Sequence, residues 1–317
     1  MNLILKPGDL AALPDDPARL FGREAPLALE IGFGGGRFLT HLAEARPVWN
    51  VLGVELSGGS MTRAFKRLRR AGARNVRLFR GDGHFVARDV LPPGSLHRVY
   101  ANFPSPWPKK KHRDRRLLRA PFFRLLANRL ASASGALHLT TDHERYFRSA
   151  VRAARSTDLY RMRFTPPPHA ALGTKYARRW QDQGRTIRHV AFFSENVPPF
   201  SFPPVIEPTP MHHAILQGDL PDLAEFEKIV RQFDGGTVVV LNAYRAVNET
   251  TYLFLTLVEE EHLRQKVLIE ARPSENGVFV GLKPFGDALS TEGTSEAVDC
   301  VTAWLCERGL TVEEALY

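Results

Sequence analysis

The chain has 317 residues, 44% of them hydrophobic and 24% charged, which is the composition of a folded protein rather than a disordered one. It contains no apolar run near the roughly 18 residues of a membrane span, and its N-terminus lacks the basic and apolar regions of a secretory signal. Two cysteines are too few for a disulfide framework or a zinc site. We therefore expect a cytoplasmic protein without a metal centre.

The first part of the chain alternates short apolar runs with amphipathic segments. The predicted strands cover Leu27–Ile31, Val51–Leu56, Asn75–Phe79, His97–Asn102, Ala136–Thr141 and Ile187–Phe193. The predicted helices cover Arg37–Ala45, Gly59–Ala71, Arg119–Ala131 and His143–Ala154. This alternation predicts an α/β fold with a mostly parallel sheet and helices on both faces. In such a fold, ligands bind at the carboxyl ends of the strands.

The second part of the chain follows a stretch of six prolines within residues 196–210, which predicts a stiff linker. Beyond it, helical spacing predicts a helix over Leu220–Phe233 and a final helix over Ser295–Arg308. Four strands are predicted between them, over Thr237–Ala246, Tyr252–Glu259, Leu263–Ala271 and Val278–Phe285. We therefore expect one domain over residues 1–195, a linker over 196–210 and a smaller α+β domain with an antiparallel sheet over 211–317.

Charge changes sign near the same linker. Residues 1–200 carry 35 Lys and Arg against 15 Asp and Glu, whereas residues 201–317 carry 8 against 19. Seven of the cations lie within residues 109–119, and six lie within residues 62–74. Clustered cations are typical of a protein that binds a polyanion such as nucleic acid, although a solvated charged surface is the alternative. The acidic part could stabilise the first domain, form a dimer contact or limit off-target RNA binding.

Polar side chains end or follow four successive predicted strands: Glu30, Glu55, Asp82 and Asn102. The first strand runs into a glycine turn that includes Gly32 and Gly34, where the backbone can pass close to a ligand. Glu55 is placed to accept ribose hydroxyls, and Asp82 to accept an adenine amino group. Because Glu30 would repel a pyrophosphate but attract an amine or a sulfonium, the pattern favours S-adenosylmethionine over a dinucleotide.

The stretch from Asn102 to His112 holds three prolines and Trp107, followed directly by cations. Proline fixes φ and removes a donor, so this loop is predicted to be stiff. A stiff loop suits a pocket that holds a planar group beside Trp107, although packing of Trp107 into the core is an equal alternative. The cations that follow predict contacts to phosphates, and the basic segment at residues 62–74 is a second candidate for such contacts.

These motifs resemble those of the bacterial tRNA (guanine-N7)-methyltransferases over about residues 25–195. The resemblance is carried by Glu30–Gly34, Gly53–Glu55, Gly81–Asp82, Asn102–Lys110, Thr141–Asp142 and Thr174–Gly184. It implies a Rossmann-like methyltransferase fold that binds S-adenosylmethionine. It also implies transfer of the methyl group to N7 of the guanosine in the variable loop of tRNA (position 46).

The resemblance assigns roles to individual residues. It implies that the cofactor is bound by Glu30, Glu55 and Asp82, with Asn102 beside them. Gly32 and Gly34 of the glycine turn are further candidates for binding the cofactor. The resemblance also implies that the tRNA guanosine is bound by Lys109, Asp142 and the segment from Thr174, which includes Tyr176. Arg113 belongs to the run of cations that is predicted to bind the substrate through phosphates. Ser105 and Asp142 are the candidate catalytic residues.

The chain departs from the family pattern at Ser105 and Ala177, where the family usually has Asp and Glu. Guanine N7 carries a lone pair and no proton, so no general base is needed, and losing one charged hydrogen-bond partner would cost roughly 1.5–3 kcal/mol. Our hypothesis is that Asp142 is the main guanine-recognising carboxylate. The alternatives are a catalytically weak or inactive RNA-binding protein with this fold, and a methyltransferase for another RNA base. The protein is expected to be a monomer or a homodimer.

Overall fold

The computed structural model divides the chain into two compact units. The described residues are 2–131, 135–173, 177, 183–195, 197, 199, 201–222, 225–247 and 249–316. One unit comprises Met1–Leu5 and Pro14–Pro204, and the other comprises Lys6–Leu13 and Val205–Tyr317. The N-terminal segment joins the second unit because Gly8 N donates to the carbonyl of Asp287 at 2.7 Å. The sequence pattern does not indicate that residues 6–13 belong with the C-terminal part of the chain. The domain boundaries drawn from the sequence stay a prediction.

The first unit is built on an eight-stranded sheet. Its strands are β1 (Ile4–Leu5), β2 (Leu27–Ile31), β3 (Asn50–Glu55), β4 (Val76–Arg80), β5 (Leu96–Asn102), β6 (Ala136–Thr141), β7 (Tyr160–Phe164) and β8 (Arg188–Ser194). They lie in the order β1-β4-β3-β2-β5-β6-β8-β7. Strands β1 to β6 pair in parallel, whereas β8 runs antiparallel to both β6 and β7. Every residue of β2 is buried, as expected for a parallel strand with both faces covered.

Helices connect these strands. They are α1 (Pro17–Phe21), α2 (Arg37–Ala45), α3 (Gly58–Arg70), α4 (Gly83–Phe85), α5 (Ala120–Arg129), α6 (Glu144–Arg155) and α7 (His169–Leu172). A π-helical turn over Val86–Val90 continues α4, and a 3-10 helix covers Lys110–Arg115. The mostly parallel sheet with helices that the sequence predicts is confirmed. Among the described residues, no helix has the length and apolarity that a transmembrane span needs.

The second unit is a seven-stranded antiparallel sheet packed against one long helix. Its strands are β9 (His213–Gln217), β10 (Ile229–Phe233), β11 (Gly236–Arg245), β12 (Tyr252–Glu260), β13 (Leu263–Ser274), β14 (Gly277–Leu282) and β15 (Thr311–Leu316). The long helix is α8 (Glu292–Cys306), and a 3-10 turn covers Pro7–Asp9. The strand order is β10-β11-β12-β13-β14-β9-β15. Phe254 of β12 and Trp304 of α8 meet in the core, with ring centroids 5.6 Å apart.

The helix predicted over Leu220–Phe233 is wrong. Its last five residues form β10, in which Val230 and Gln232 are more exposed than their neighbours, so burial alternates with period two. Strand β10 pairs with β11 from Phe233 opposite Gly236, which leaves Asp234-Gly235 as a two-residue hairpin turn. An Asp-Gly pair between apolar runs is a strong hairpin signal. At this position the hairpin signal of Asp234-Gly235 is a better predictor than the helical spacing of the apolar residues.

Arg129 joins three separated parts of the first unit. It is 1% exposed and is the largest fully buried side chain among the described residues. Its Nε donates to the carbonyl of Ala87 at 2.8 Å, and its Nη2 donates to those of Arg88 and Phe202, each at 2.8 Å. The guanidinium therefore ties α5 to the π-helical turn and to the chain near the end of the unit.

We predict that Arg129→Ala lowers the free energy of unfolding by about 3 kcal/mol or more, because three carbonyl groups lose a charged donor. Arg124→Ala is the matched control, since Arg124 is exposed on the same helix. It should change stability by less than about 0.5 kcal/mol. Urea unfolding followed by circular dichroism measures both values. Equal stability of the two variants would show that Arg129 has no such role.

Candidate active site

The carboxyl ends of four parallel strands meet at one edge of the first sheet. Strands β2, β3 and β4 lie side by side in chain order, and β5 lies on the other side of β2. The chain direction across the sheet therefore reverses between β2 and β5. In open α/β sheets, this switch point leaves a crevice in which ligands bind.

Glu30 and Asn102 occupy the switch point, one on each side. Asn102 Nδ2 donates to Glu30 Oε1 at 3.1 Å, and the two residues are only 9% and 2% exposed respectively. The other carboxyl oxygen, Glu30 Oε2, is buried without a hydrogen-bond partner among the described residues. A buried polar atom of this kind normally has a partner, so the arrangement fits a ligand that donates to it.

The ionisation of Glu30 is strongly perturbed. Burial, the largest cause, raises the pKa of Glu30 to about 8; the hydrogen bond from Asn102 lowers it and the nearby charge of Glu55 raises it. At neutral pH the carboxyl group is therefore largely protonated in the free protein. A cationic group placed beside it would favour the ionised form.

The turn after β2 gives a ligand room at the backbone. Gly32 and Gly34 have φ of +77° and +55°, in the left-handed region that glycine adopts readily. A Cβ added at either residue would have no protein atom within 4 Å, so both face open space. Gly36 differs, because its added Cβ would lie 2.7 Å from the Cβ of Ala64. It therefore serves the close packing of α2 on α3 rather than the ligand.

Glu55, at the end of β3, accepts hydrogen bonds from the backbone of two loops of the site. Its Oε2 accepts from Gly34 N at 2.9 Å, and its Oε1 accepts from Ser57 N at 3.0 Å. Each carboxylate oxygen can accept a second hydrogen bond. The residue can thus hold the glycine turn and still accept from a ligand hydroxyl.

Asp82 follows β4 and caps the short helix α4. Its Oδ1 accepts from His84 N at 2.7 Å and lies 3.1 Å from His84 Nδ1. The side chain is 36% exposed, so it remains accessible at the edge of the sheet. The four predicted cofactor-binding side chains therefore lie at the ends of neighbouring strands, where the sequence placed them.

The loop after β5 is strained and held by a buried arginine. Phe103 and Trp107 have φ of +51° and +42°, although neither is glycine and each precedes a proline. Arg116, which is 7% exposed, donates from Nε to the carbonyl of Pro106 at 2.8 Å. Its Nη2 donates to the carbonyl of Trp107 at 3.3 Å. Strain of this kind persists only where surrounding contacts enforce it, and Arg116 supplies such contacts.

Several cations that the sequence predicted to bind phosphates form contacts within the protein. Arg116 is buried under the loop, and Arg119 Nη2 lies 3.2 Å from Asp114 Oδ1. In the second basic segment, Arg67 Nε donates to the carbonyl of Gly35 at 3.1 Å. The structure contradicts the phosphate role predicted for Arg116, because the residue is buried and its Nε and Nη2 donate to carbonyls of the loop. No sequence signal separates these arginines from their neighbours.

The predicted substrate residues are placed unevenly. Lys109 and Arg113 are exposed beside the loop, and Ser105 is exposed within it. Asp142 follows β6 with its side chain 11% exposed, and its Oδ2 lies 2.8 Å from Nη1 of Arg185. Arg185 carried no role in the sequence analysis.

Two of the predicted substrate-binding residues, Thr174 and Tyr176, lie outside the described residues. Ala177, where the family usually has Glu, is described and is buried. Its small apolar side chain therefore does not contribute a polar group to the edge.

Comparison with known proteins gives the family. The model of the methyltransferase family Methyltransf_4 matches residues 24–190. The chain is 46% identical to the tRNA (guanine-N(7)-)-methyltransferase of Thermus thermophilus, covering 98% of each chain. It is 40% identical to the enzyme of the same name from Deinococcus radiodurans, covering 99% of this chain and 100% of that one. The namesake from Thermotoga maritima is 36% identical over 57% of this chain and 58% of its own.

The first two relatives match both units, and the third matches little more than half of the chain. The sheet order, the glycine turn and the acids at the strand ends agree with the methyltransferase family match over residues 24–190. With this level of identity over nearly the whole length, the chain belongs to the tRNA (guanine-N7)-methyltransferase family.

Proposed function

We propose that this protein transfers a methyl group from S-adenosylmethionine to N7 of a guanine in tRNA, at the variable-loop guanosine of position 46. One observation carries the cofactor assignment: a buried carboxyl oxygen of Glu30 that has no described partner, at the switch point of a methyltransferase-family sheet. The names of the relatives support the substrate. Since the substrate is tRNA, we also place the protein in the cytoplasm.

The residues at the edge of the sheet suit each part of the cofactor. Glu30 would face a cationic group, and Gly32 and Gly34 leave space for the ligand beside their backbone. Glu55 would accept from ribose hydroxyls, and Asp82 from the adenine amino group. S-adenosylmethionine, when bound, supplies a methyl group on a positively charged sulfur. The protein's own contribution is to orient the ligand and to hold charge near it.

The substrate side of the site needs positioning rather than proton transfer, because guanine N7 is already a free lone pair. Asp142 would accept from the guanine N–H groups and offset the positive charge that develops on the methylated ring. Arg185 pairs with one oxygen of this carboxylate and would hold its orientation. The carboxylate would then bind Arg185 and the guanine base at the same time. Lys109 and Arg113 would bind phosphates beside the loop that carries Ser105.

A second candidate function rests on that same ion pair. If Arg185 keeps Asp142 occupied, and Ser105 supplies no charge, the protein would bind RNA without efficient methylation. Both candidates predict binding of tRNA, so only the chemical product separates them.

Incubation with S-adenosylmethionine and an unmodified tRNA transcript should yield 7-methylguanosine, detected by mass spectrometry of the digested nucleosides. The expected yield approaches one methyl group per tRNA, because the site is proposed to act on one guanosine. A transcript in which the variable-loop guanosine is replaced by adenosine is the matched control and should remain unmethylated. Absence of the product from both transcripts, with tRNA still bound, would favour the second candidate.

The raised pKa of Glu30 predicts a pH-dependent affinity for the cofactor. A cation that pairs with the carboxylate must displace its proton, so the Kd for S-adenosylmethionine should fall as pH rises from about 6 to about 8. The slope should approach tenfold per pH unit and flatten above pH 8. Glu30→Gln, a neutral isostere, should weaken binding and remove the slope. Isothermal titration calorimetry measures both effects.

Glu44→Gln is the control for this test, because Glu44 is an exposed acid of the same unit. It should retain the wild-type affinity and slope. S-adenosylhomocysteine lacks the sulfonium charge but keeps the amine, so the same slope with both ligands would identify the amine as the cation beside Glu30. A wild-type Kd that is constant over this pH range would rule out an ionised Glu30 in the complex.

Asp142→Asn tests the guanine-recognising role. Loss of a charged acceptor should lower kcat/KM for tRNA by about 10- to 200-fold, which corresponds to roughly 1.5–3 kcal/mol. The Kd for S-adenosylmethionine should not change. Asp158→Asn is the control, since Asp158 is an exposed acid in the turn after α6 and should leave kcat/KM intact. Methylation by Asp142→Asn at the wild-type rate would assign guanine recognition to another residue.

A further inference from the structure

Helix α6 presents a row of arginines to solvent that the site described above does not use. Arg145, Arg148, Arg152 and Arg155 are all exposed, at successive spacings of three, four and three residues. Residues three and four apart are neighbours on a helix surface, so the four guanidinium groups share one face. We call this set the α6 arginine stripe. The opposite face of the helix is buried in the first unit, through Tyr146, Ala150, Val151 and Ala154.

The stripe has little acidic compensation. Glu144, the acid of α6, binds Arg148 at 2.5 Å and also lies 3.5 Å from Arg188 of β8. The remaining members, Arg145, Arg152 and Arg155, form no ion pair with the residues that the structure describes. Like charges at these spacings destabilise a helix by a few tenths of a kcal/mol per pair. Within α6 the Glu144–Arg148 pair offsets part of this repulsion, but Arg145 has no acidic partner among the described residues.

The position of Arg145 argues against a role in helix stability. It is the second residue of α6, in the first turn, where the helix dipole disfavours a cation. Arg152 and Arg155 lie in the last turn, where cations are favourable, but they continue the same row. The stripe therefore extends from the helix end where the dipole disfavours cations to the end where it favours them. This continuity indicates that the partner of the stripe is an anion outside the protein.

The stripe also starts at the proposed site. Asp142 lies at the end of β6, and α6 begins two residues later at Glu144. From Arg145 to Arg155 the helix rises by about 15 Å at 1.5 Å per residue. The stripe therefore leads from the carboxyl edge of the sheet down one side of the first unit.

We propose that the α6 arginine stripe binds the sugar-phosphate backbone of the RNA substrate, alongside and separate from the guanine pocket. This inference rests on the proposed function, in that the RNA is the tRNA that is methylated. Arginine pairs with phosphate through a fork of N–H donors, and contacts of this kind set the register of an RNA without reading its sequence. The helix exposes no large apolar side chain, so it lacks what an interfacial membrane helix would insert.

The test replaces the stripe and measures how tRNA binding depends on salt. The variant carries Arg145→Gln, Arg148→Gln, Arg152→Gln and Arg155→Gln. Each lost phosphate contact should reduce the slope of log affinity against log salt by about 0.7 to 1, so the slope should fall by about 3. The Kd for tRNA at low salt should rise by about tenfold or more, and the KM for tRNA should rise with it.

The matched control removes the same number of exposed cations from the second unit, through Lys228→Gln, Arg245→Gln, Arg264→Gln and Lys266→Gln. It changes the net charge equally and should leave the salt slope within experimental error. Thermal unfolding of the stripe variant should occur close to the wild-type temperature, because relief of like-charge repulsion is balanced by loss of the Glu144–Arg148 pair and of the favourable cations in the last turn. Unfolding at a clearly lower temperature with an unchanged salt slope would assign the stripe a structural role and overturn the proposal.

The outcomes separate this proposal from the proposed function. If wild-type protein makes 7-methylguanosine and the stripe variant matches it in Kd, KM and salt slope, the stripe is not an RNA contact although the function stands. If no product is formed but the variant loses tRNA affinity, the stripe is confirmed as an RNA contact while the methyltransferase activity fails. Binding to vesicles of anionic phospholipid that is lost in the variant, with tRNA binding unchanged, would assign the stripe to a membrane surface and overturn the proposal.

Discussion

A carboxyl group buried at the switch point of the sheet is the constraint on which the site depends. Raising the pKa of Glu30 to about 8 corresponds to a cost on the order of 5 kcal/mol for ionising it in the free protein. The hydrogen bond from Asn102 offsets only part of that cost, and one oxygen remains without a described partner. A cationic ligand beside Glu30 would offset this cost on binding. The preference for such a ligand is thus built into the fold before any contact to the rest of the cofactor.

Around Glu30, side chains from one element hold the backbone of another. Glu55 accepts from Gly34 and Ser57, and so fixes the loops that follow β2 and β3. Arg116 holds the carbonyls of the strained proline loop after β5. Both act on backbone groups that face the edge of the sheet. A ligand therefore meets loops that are already positioned, and less of its binding free energy is lost to ordering them.

Positive charge in the first unit serves several different purposes. Arg129 and Arg116 are buried and bind backbone carbonyls, whereas Arg185 pairs with Asp142. Among the described residues, exposed groups such as Lys109 and the α6 arginine stripe would be available to phosphates. The acidic second unit lacks such a surplus, which confines attraction for RNA to the first unit. Net charge alone indicates a polyanion as partner, but burial decides which cations can reach it.

Six of the eight strands and four of the helices in the first unit, and the acids at the ends of its strands, follow from the sequence, because apolar periodicity and glycine turns are local properties. The sequence analysis did not predict β1, β7 or α1. The same local reasoning was wrong at Leu220–Phe233, where helical spacing competed with the Asp-Gly hairpin that forms β10. The partners of individual side chains depended on the tertiary structure. Glu30 meets Asn102 across 72 residues, and Arg129 meets Phe202 across 73. Packing brings such groups together from distant parts of the chain, so only the folded structure determines which charges are buried and what they bind.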